Sequence, residues 1–70
     1  MSQAFARWVV RERTACVLSR RDLAHRLHIS ERTVYRWERG ESEPHPHVRR
    51  AIAQLFEMLK RMRNKKRSAA

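Results

Sequence analysis

The sequence has little of what β-hairpins, disulfides or membrane spans require. Its 70 residues include one glycine, two prolines and no Asn-Gly or Asp-Gly pair, so an all-α fold is favoured. The single cysteine, Cys16, cannot form an internal disulfide, and we expect it in the core as a small apolar residue. The longest apolar runs, Trp8 to Val10 and Ala15 to Leu18, fall far below the roughly 20 residues of a membrane span. No membrane partner is therefore expected.

Acidic residues are also scarce. Seven Asp and Glu stand against seventeen Lys and Arg, which gives a net charge of +10. Fourteen of the basic residues are arginines, whose planar guanidinium pairs bidentately with phosphate oxygens and with the guanine edge. This balance favours nucleic acid over a membrane surface as the partner. No secretory or transit-peptide pattern is present, so we expect a cytoplasmic protein associated with the nucleoid.

Helix-capping residues and apolar periodicity divide the chain into four helices. Ser19 and Ser30 can each accept a hydrogen bond from the first turn of the helix that follows. Gly40 suits the left-handed backbone that ends a helix, and Pro44 and Pro46 mark a connecting loop. The predicted helices cover residues 3–15, 20–27 and 31–39, and a fourth begins near Pro46.

The inner faces of these helices supply the expected core of Phe5, Val9, Leu23, Val34 and Trp37. The fourth helix carries a longer apolar stripe, formed by Val48, Ile52, Leu55, Phe56, Leu59 and Met62. A domain this small is not expected to bury the whole stripe, so its distal end is a candidate partner surface. We expect one domain over residues 1–62 and a basic, flexible tail over residues 63–70.

Residues 18–40 place two short helices across a three-residue turn, the helix-turn-helix geometry in which the second helix enters the major groove of DNA. The stretch resembles the motif of the phage-repressor and Cro (XRE) family. The matching residues are Ala24, Leu27, Ile29, Val34, Glu38 and Gly40, and later Pro44, Ile52, Ala53 and Phe56, so the likeness covers about residues 9 to 56. It departs at the turn, where the family usually has Gly and this chain has His28. Histidine tolerates left-handed backbone better than most residues, although a slightly different turn is the alternative.

The resemblance implies a compact, lambda-repressor-like four-helix domain. It also implies a sequence-specific regulator of transcription, a repressor that binds an inverted-repeat operator in double-stranded DNA as a homodimer. The positions that read bases by this resemblance are Glu31, Arg32, Tyr35 and Arg36. Phosphate contacts are expected from Arg20, Thr33, Arg39 and Gly40. Arg13 and Glu38 match a pair that forms a partly buried ion bridge in relatives.

The chemistry of the reading positions agrees with this assignment. Arg32 and Arg36 are one helical turn apart, and either can donate paired hydrogen bonds to guanine N7 and O6. Glu31 can accept a hydrogen bond from cytosine N4 or can only stabilise the start of its helix. Tyr35 can contact a thymine methyl group or a phosphate.

Many relatives add a fifth helix that helps to form the dimer, and the sequence here predicts four. We therefore expect a two-fold interface on the distal stripe, at Leu55, Leu59 and Met62. The alternative is that the first helix covers this stripe and that the monomer pairs only on DNA.

Other functions have weaker support. His25 with His28, and His45 with His47, lack the spacing of a zinc site, so no metal is expected. The sequence lacks a Gly-rich phosphate loop and an evident base beside Cys16, so we expect no enzyme, cofactor or small-molecule ligand. Two alternatives remain. One is an antitoxin or adaptor that binds another protein through the distal stripe, and the other is an RNA-binding protein that uses its arginines.

Overall fold

A computed structural model describes the backbone of residues 3–69 and the side chains of residues 3–63. Its four α-helices are α1 (Gln3–Ala15), α2 (Arg20–Leu27), α3 (Glu31–Glu38) and α4 (Pro46–Ala69). The described part of the chain contains no strand, and the predicted all-α fold is confirmed. The predicted bounds of α1 and α2 are also confirmed, whereas α3 ends one residue earlier because Arg39 is its C-cap. None of the described helices has the length and apolar character of a membrane span.

Both predicted N-caps are present. The hydroxyl of Ser19 accepts a hydrogen bond from the Asp22 amide at 3.0 Å, and the Asp22 carboxylate accepts one from the Ser19 amide at 3.1 Å. This reciprocal capping box satisfies two amides at the start of α2, and the bond from the Ser19 amide lowers the pKa of Asp22. Ser30 caps α3 by accepting from the Thr33 amide at 3.2 Å.

The first three helices all end in the same left-handed turn. The residue in left-handed backbone is Val17 after α1 (φ 57°), His28 after α2 (φ 58°) and Gly40 after α3 (φ 76°). In each case the next amide bonds back to a carbonyl five residues earlier: Leu18 to Arg13, Ile29 to Ala24 and Glu41 to Arg36. The left-handed backbone expected at His28 and Gly40 is confirmed. It was not predicted at Val17, because β-branched residues rarely adopt this conformation.

One apolar core joins the four helices. Its buried residues are Phe5, Val9, Cys16, Leu23, Ala24, Val34, Trp37, Ile52 and Phe56, which include every residue predicted for the core. Phe5 meets Trp37 of α3 edge-on at 6.0 Å between ring centroids, and Trp8 meets Phe56 of α4 at 5.5 Å. Helix α1 therefore packs against both α3 and α4. Burial raises the pKa of the Cys16 thiol, which suits a neutral core residue.

An ion pair and a hydrogen bond connect the distal part of α4 to the C-terminal end of α1. Lys60 forms an ion pair with Glu12, which raises the pKa of Lys60, and Arg63 donates to the Ala15 carbonyl at 2.7 Å. With no Gly or Pro after Pro46, nothing in the sequence stops the helix, and it continues through residue 69. Helical backbone thus covers most of the segment expected as a tail over residues 63–70. The flexibility of that segment stays a prediction, and its side chains beyond residue 63 lie outside the described residues.

Replacing Val17 by glycine should raise the free energy of unfolding by roughly 1 kcal/mol, because a β-carbon in left-handed backbone costs about 1–2 kcal/mol. Val17 is 74% exposed, so removing its side chain loses few packing contacts. Urea denaturation of the wild type and Val17→Gly measures the gain. Val17→Ala is the control, since alanine keeps the β-carbon, and equal stability of the two variants would contradict the strain at this turn.

Candidate nucleic-acid interface

Helix α3 has one buried and one exposed face. Val34 and Trp37 lie in the core, and they fix the rotation of the helix about its axis. The opposite face is exposed, and it carries all four positions expected to read bases: Glu31, Arg32, Tyr35 and Arg36. The structure therefore brings these side chains together on one surface, next to Arg39 at the C-cap.

A single carboxylate connects this helix to the two before it. The Nε atom of Arg13, on α1, donates to Glu38 Oε2 at 2.7 Å, and the Nε atom of Arg20, on α2, donates to Oε1 at 2.8 Å. The Glu38 side chain is only 4% exposed and that of Arg13 is 15% exposed. Arg13 also donates to the Leu18 carbonyl at 2.8 Å, across the turn between α1 and α2. Three helices and one turn thus meet at Glu38.

The resemblance paired Arg13 with Glu38, and the two are in contact, but sequence reasoning missed the bond from Arg20. No spacing rule connects residues 20 and 38, which lie on different helices. The bond with Glu38 raises the pKa of Arg20, so this guanidinium stays charged. It engages one N–H through Nε, and guanidinium has five, so Arg20 keeps donors for a phosphate.

Tyr35 lies beside two arginines. The guanidinium carbon of Arg20 is 5.1 Å from the centre of its ring, and that of Arg39 is 5.4 Å away. Both distances suit cation–π attraction, which holds an arginine against the face of an aromatic ring. Tyr35 is therefore placed to support the two arginines that were expected to contact phosphate, a role that the sequence did not reveal.

The other two expected phosphate contacts, Thr33 and Gly40, also form hydrogen bonds within the chain. The Thr33 hydroxyl shares a hydrogen bond with the Ser30 hydroxyl at 2.9 Å, although a hydroxyl retains a further lone pair. The Gly40 amide donates to the Trp37 carbonyl at 3.1 Å, and the residue is buried. A β-carbon at Gly40 would lie 2.8 Å from the side-chain amide nitrogen of Gln3. Gly40 therefore closes the turn after α3 and has no amide donor left for phosphate.

The proposed dimer stripe is partly covered by the chain itself. Leu55 and Leu59 are half-buried and pack against the core. Met62 is 57% exposed, and Met58, one turn before it, is also exposed. The exposed apolar surface of distal α4 thus consists of the two methionines rather than of the two leucines.

No group of three or more His, Cys, Asp or Glu within the described residues can hold a metal ion. His45 and His47 stack at 5.4 Å between ring centroids, and both are exposed in the segment that leads into α4. Two exposed imidazoles without further ligands do not make a metal centre of the usual coordination.

A family model described as Helix-turn-helix matches residues 11–58, which is most of the chain and includes all of α2 and α3. The chain belongs to this helix-turn-helix family and is of the XRE type. It is a DNA-binding regulator of transcription, and the family is generally non-enzymatic. No curated protein and no solved structure gave a match.

Replacing Glu38 by glutamine should destabilise the fold by about 3 kcal/mol, because it leaves the Arg13 guanidinium largely buried without a counter-charge. Guanidinium chloride denaturation measures the loss. Glu41→Gln is the matched control, since Glu41 pairs with Arg39 at 3.6 Å on the surface, where an ion pair contributes roughly 1 kcal/mol or less. Similar losses for the two variants would mean that Glu38 does not hold the helices together.

Proposed function

We propose that the chain is a transcriptional repressor that binds an inverted-repeat operator as a homodimer, with α3 in the major groove. The observation that carries this proposal is the exposed face of α3, which is held in one orientation by its buried face and by Glu38. A rigidly held helix with a basic outer face is the element that helix-turn-helix proteins place against base edges. Occupation of an operator is sufficient for repression, since it excludes other proteins from the same DNA.

On this proposal Arg32 and Arg36 read guanine through paired hydrogen bonds to N7 and O6. Neither side chain forms an ion pair within the described part of the chain, so no internal contact competes with a base. Glu31 lies in the first turn of α3, where it can accept from cytosine N4 or only stabilise the helix start. Tyr35 contributes mainly by supporting its two arginine neighbours, and it retains an exposed edge that can touch a thymine methyl group.

Arg20 and Arg39 are proposed to contact phosphates beside the reading face. Their guanidinium groups lie close to the Tyr35 ring, so their positions relative to α3 are restricted before DNA binds. Thr33 is proposed as a further phosphate contact through its hydroxyl group. We do not extend the proposal to Gly40, whose amide is already bonded to Trp37.

Double-stranded DNA is favoured over RNA by the shape of this surface. A helix that presents arginine side chains fits the wide major groove of B-form DNA, whereas the major groove of A-form RNA is too narrow to admit it. Readers of single-stranded RNA need exposed aromatic platforms, and the aromatic ring on this face, Tyr35, lies beside two guanidinium groups.

Selection of bound sites from random duplex DNA tests the proposal, with the expectation of an inverted repeat that contains guanine in each half-site. Arg36→Ala should relax the preference at one position of each half-site, by about 1 to 3 kcal/mol. Arg39→Ala should weaken binding to all sequences alike. If both variants retained the wild-type sequence preference, or if duplex RNA competed as well as duplex DNA, the assignment of α3 as the reading helix would fail.

The homodimer is proposed to form through the exposed methionines of distal α4, Met58 and Met62. Arg61 and Arg63 lie on the same part of the helix and repel a second copy in free solution. DNA phosphates neutralise such charges, so assembly is expected on the operator rather than before binding. Two copies on successive turns of the major groove then match the spacing of an inverted repeat, about 34 to 36 Å.

Met62→Glu should abolish cooperative binding of the second copy, because it places a carboxylate in the proposed apolar contact. Ala51→Glu is the matched control, since it introduces the same charge at an exposed position of α4 outside the stripe. Analytical ultracentrifugation with a full operator duplex and with a half-site duplex measures the number of bound copies. Equal cooperativity in the two variants would rule out the exposed methionines Met58 and Met62 as the interface.

A further inference from the structure

A groove of about 800 Å³ lies between α1 and the first half of α4. Its floor is apolar and includes Phe5, Trp8 and Ala53. Phe5 is buried, and Trp8 is half-buried with its ring against both Phe5 and Phe56. The floor is therefore an outward continuation of the core, held by aromatic contacts, and its shape does not depend on a mobile side chain.

The rim of the groove is formed by arginines. Arg7 and Arg11 come from α1, and Arg49 and Arg50 come from α4. No acidic residue of the described chain lines the groove. Arg49 lies over the Phe5 ring at 5.3 Å and is 3.6 Å from Glu43, and Arg11 is 3.9 Å from Glu12. Arg7 and Arg50 have no ion pair with any residue that the structure describes. Two of the four rim arginines therefore have no counter-charge, and the rim keeps an excess of positive charge around an apolar floor.

We propose that this groove binds an acidic segment of another protein, which inserts an apolar side chain onto Trp8 and Ala53 and pairs its carboxylates with the arginine rim. The pairing of an apolar floor with a cationic rim selects this occupant. A nucleic-acid backbone matches the arginines but offers no apolar group for the floor. A second copy of this chain has only seven acidic residues against seventeen basic ones, so it offers few carboxylates for the rim.

The groove is separate from the surface proposed to read DNA. It is lined by residues of α1 and α4, with none from α2 or α3 among the described residues. Helix α1 packs against the buried side of α3 through Phe5 and Trp37, so the exposed face of α3 points away from that contact. An acidic partner can therefore bind while α3 occupies DNA. This contact goes beyond the proposed repressor function and does not depend on it, and it gives the regulator a second surface for protein recruitment.

The probe is a short synthetic helical peptide with leucines on one face and glutamates beside them, titrated into the full chain. The two indole N–H signals of the ¹H–¹⁵N spectrum report binding, with that of Trp8 assigned from Trp8→Phe. We expect saturable movement of the Trp8 signal while the Trp37 signal stays in place. Ala53→Met fills the floor of the groove and should lower the affinity for the peptide at least about tenfold. This change corresponds to roughly 1.4 kcal/mol of binding free energy. Ala51→Met is the matched control, because Ala51 is exposed on the same helix and does not line the groove.

Three results would overturn the proposal. If a peptide with serine in place of leucine bound equally well, binding would be only non-specific charge attraction. If Ala53→Met and Ala51→Met lowered the affinity equally, the groove would not be the binding site. Displacement of the peptide by short duplex DNA, with the same movement of the Trp8 signal, would assign the groove to the DNA interface. Operator binding by Ala53→Met, measured separately, distinguishes failure of this proposal from failure of the repressor function.

Discussion

The carboxylate of Glu38 is the interaction on which the arrangement of the first three helices depends. Helices of eight residues, such as α2 and α3, are too short to be stable alone, so their positions come from tertiary contacts. The core supplies most of the stabilisation, but apolar contacts are not directional and tolerate small rotations. Paired hydrogen bonds from two guanidinium groups are directional. They restrict how α1 and α2 lie against α3, which carries the face proposed to read DNA.

The same carboxylate connects stability to the proposed DNA contact. Arg20 is bound to Glu38 at one end of its guanidinium group and lies against Tyr35, which in turn lies beside Arg39. A series of side chains thus runs from the partly buried Arg13 to the surface expected to meet phosphates. Because each member is held by its neighbour, less conformational entropy is lost when the arginines engage DNA.

The fold was largely predictable from sequence because its signals are local. Ser19 and Ser30 mark helix starts through bonds within one turn, and Gly40 and His28 mark helix ends through their tolerance of left-handed backbone. Contacts between distant residues gave no such signal. The bond from Arg20 to Glu38, the arginines beside Tyr35 and the arginine-rimmed groove arise only when helices pack. The left-handed Val17 was missed for another reason, since intrinsic preference opposes it and the packing of the helices overrides that preference.

The strained turn at Val17 has a consequence for how the protein can change over evolutionary time. On the proposed function, substitutions on the exposed face of α3 alter the DNA sequence that is read, and many such changes lower stability. A small domain has little stability to lose before it unfolds. A valine codon becomes a glycine codon by a single base change, and Val17 is not among the residues proposed to contact DNA. On the proposed function, the chain therefore has a compensating mutation within one step, and that mutation widens the range of DNA sequences that its descendants can come to read.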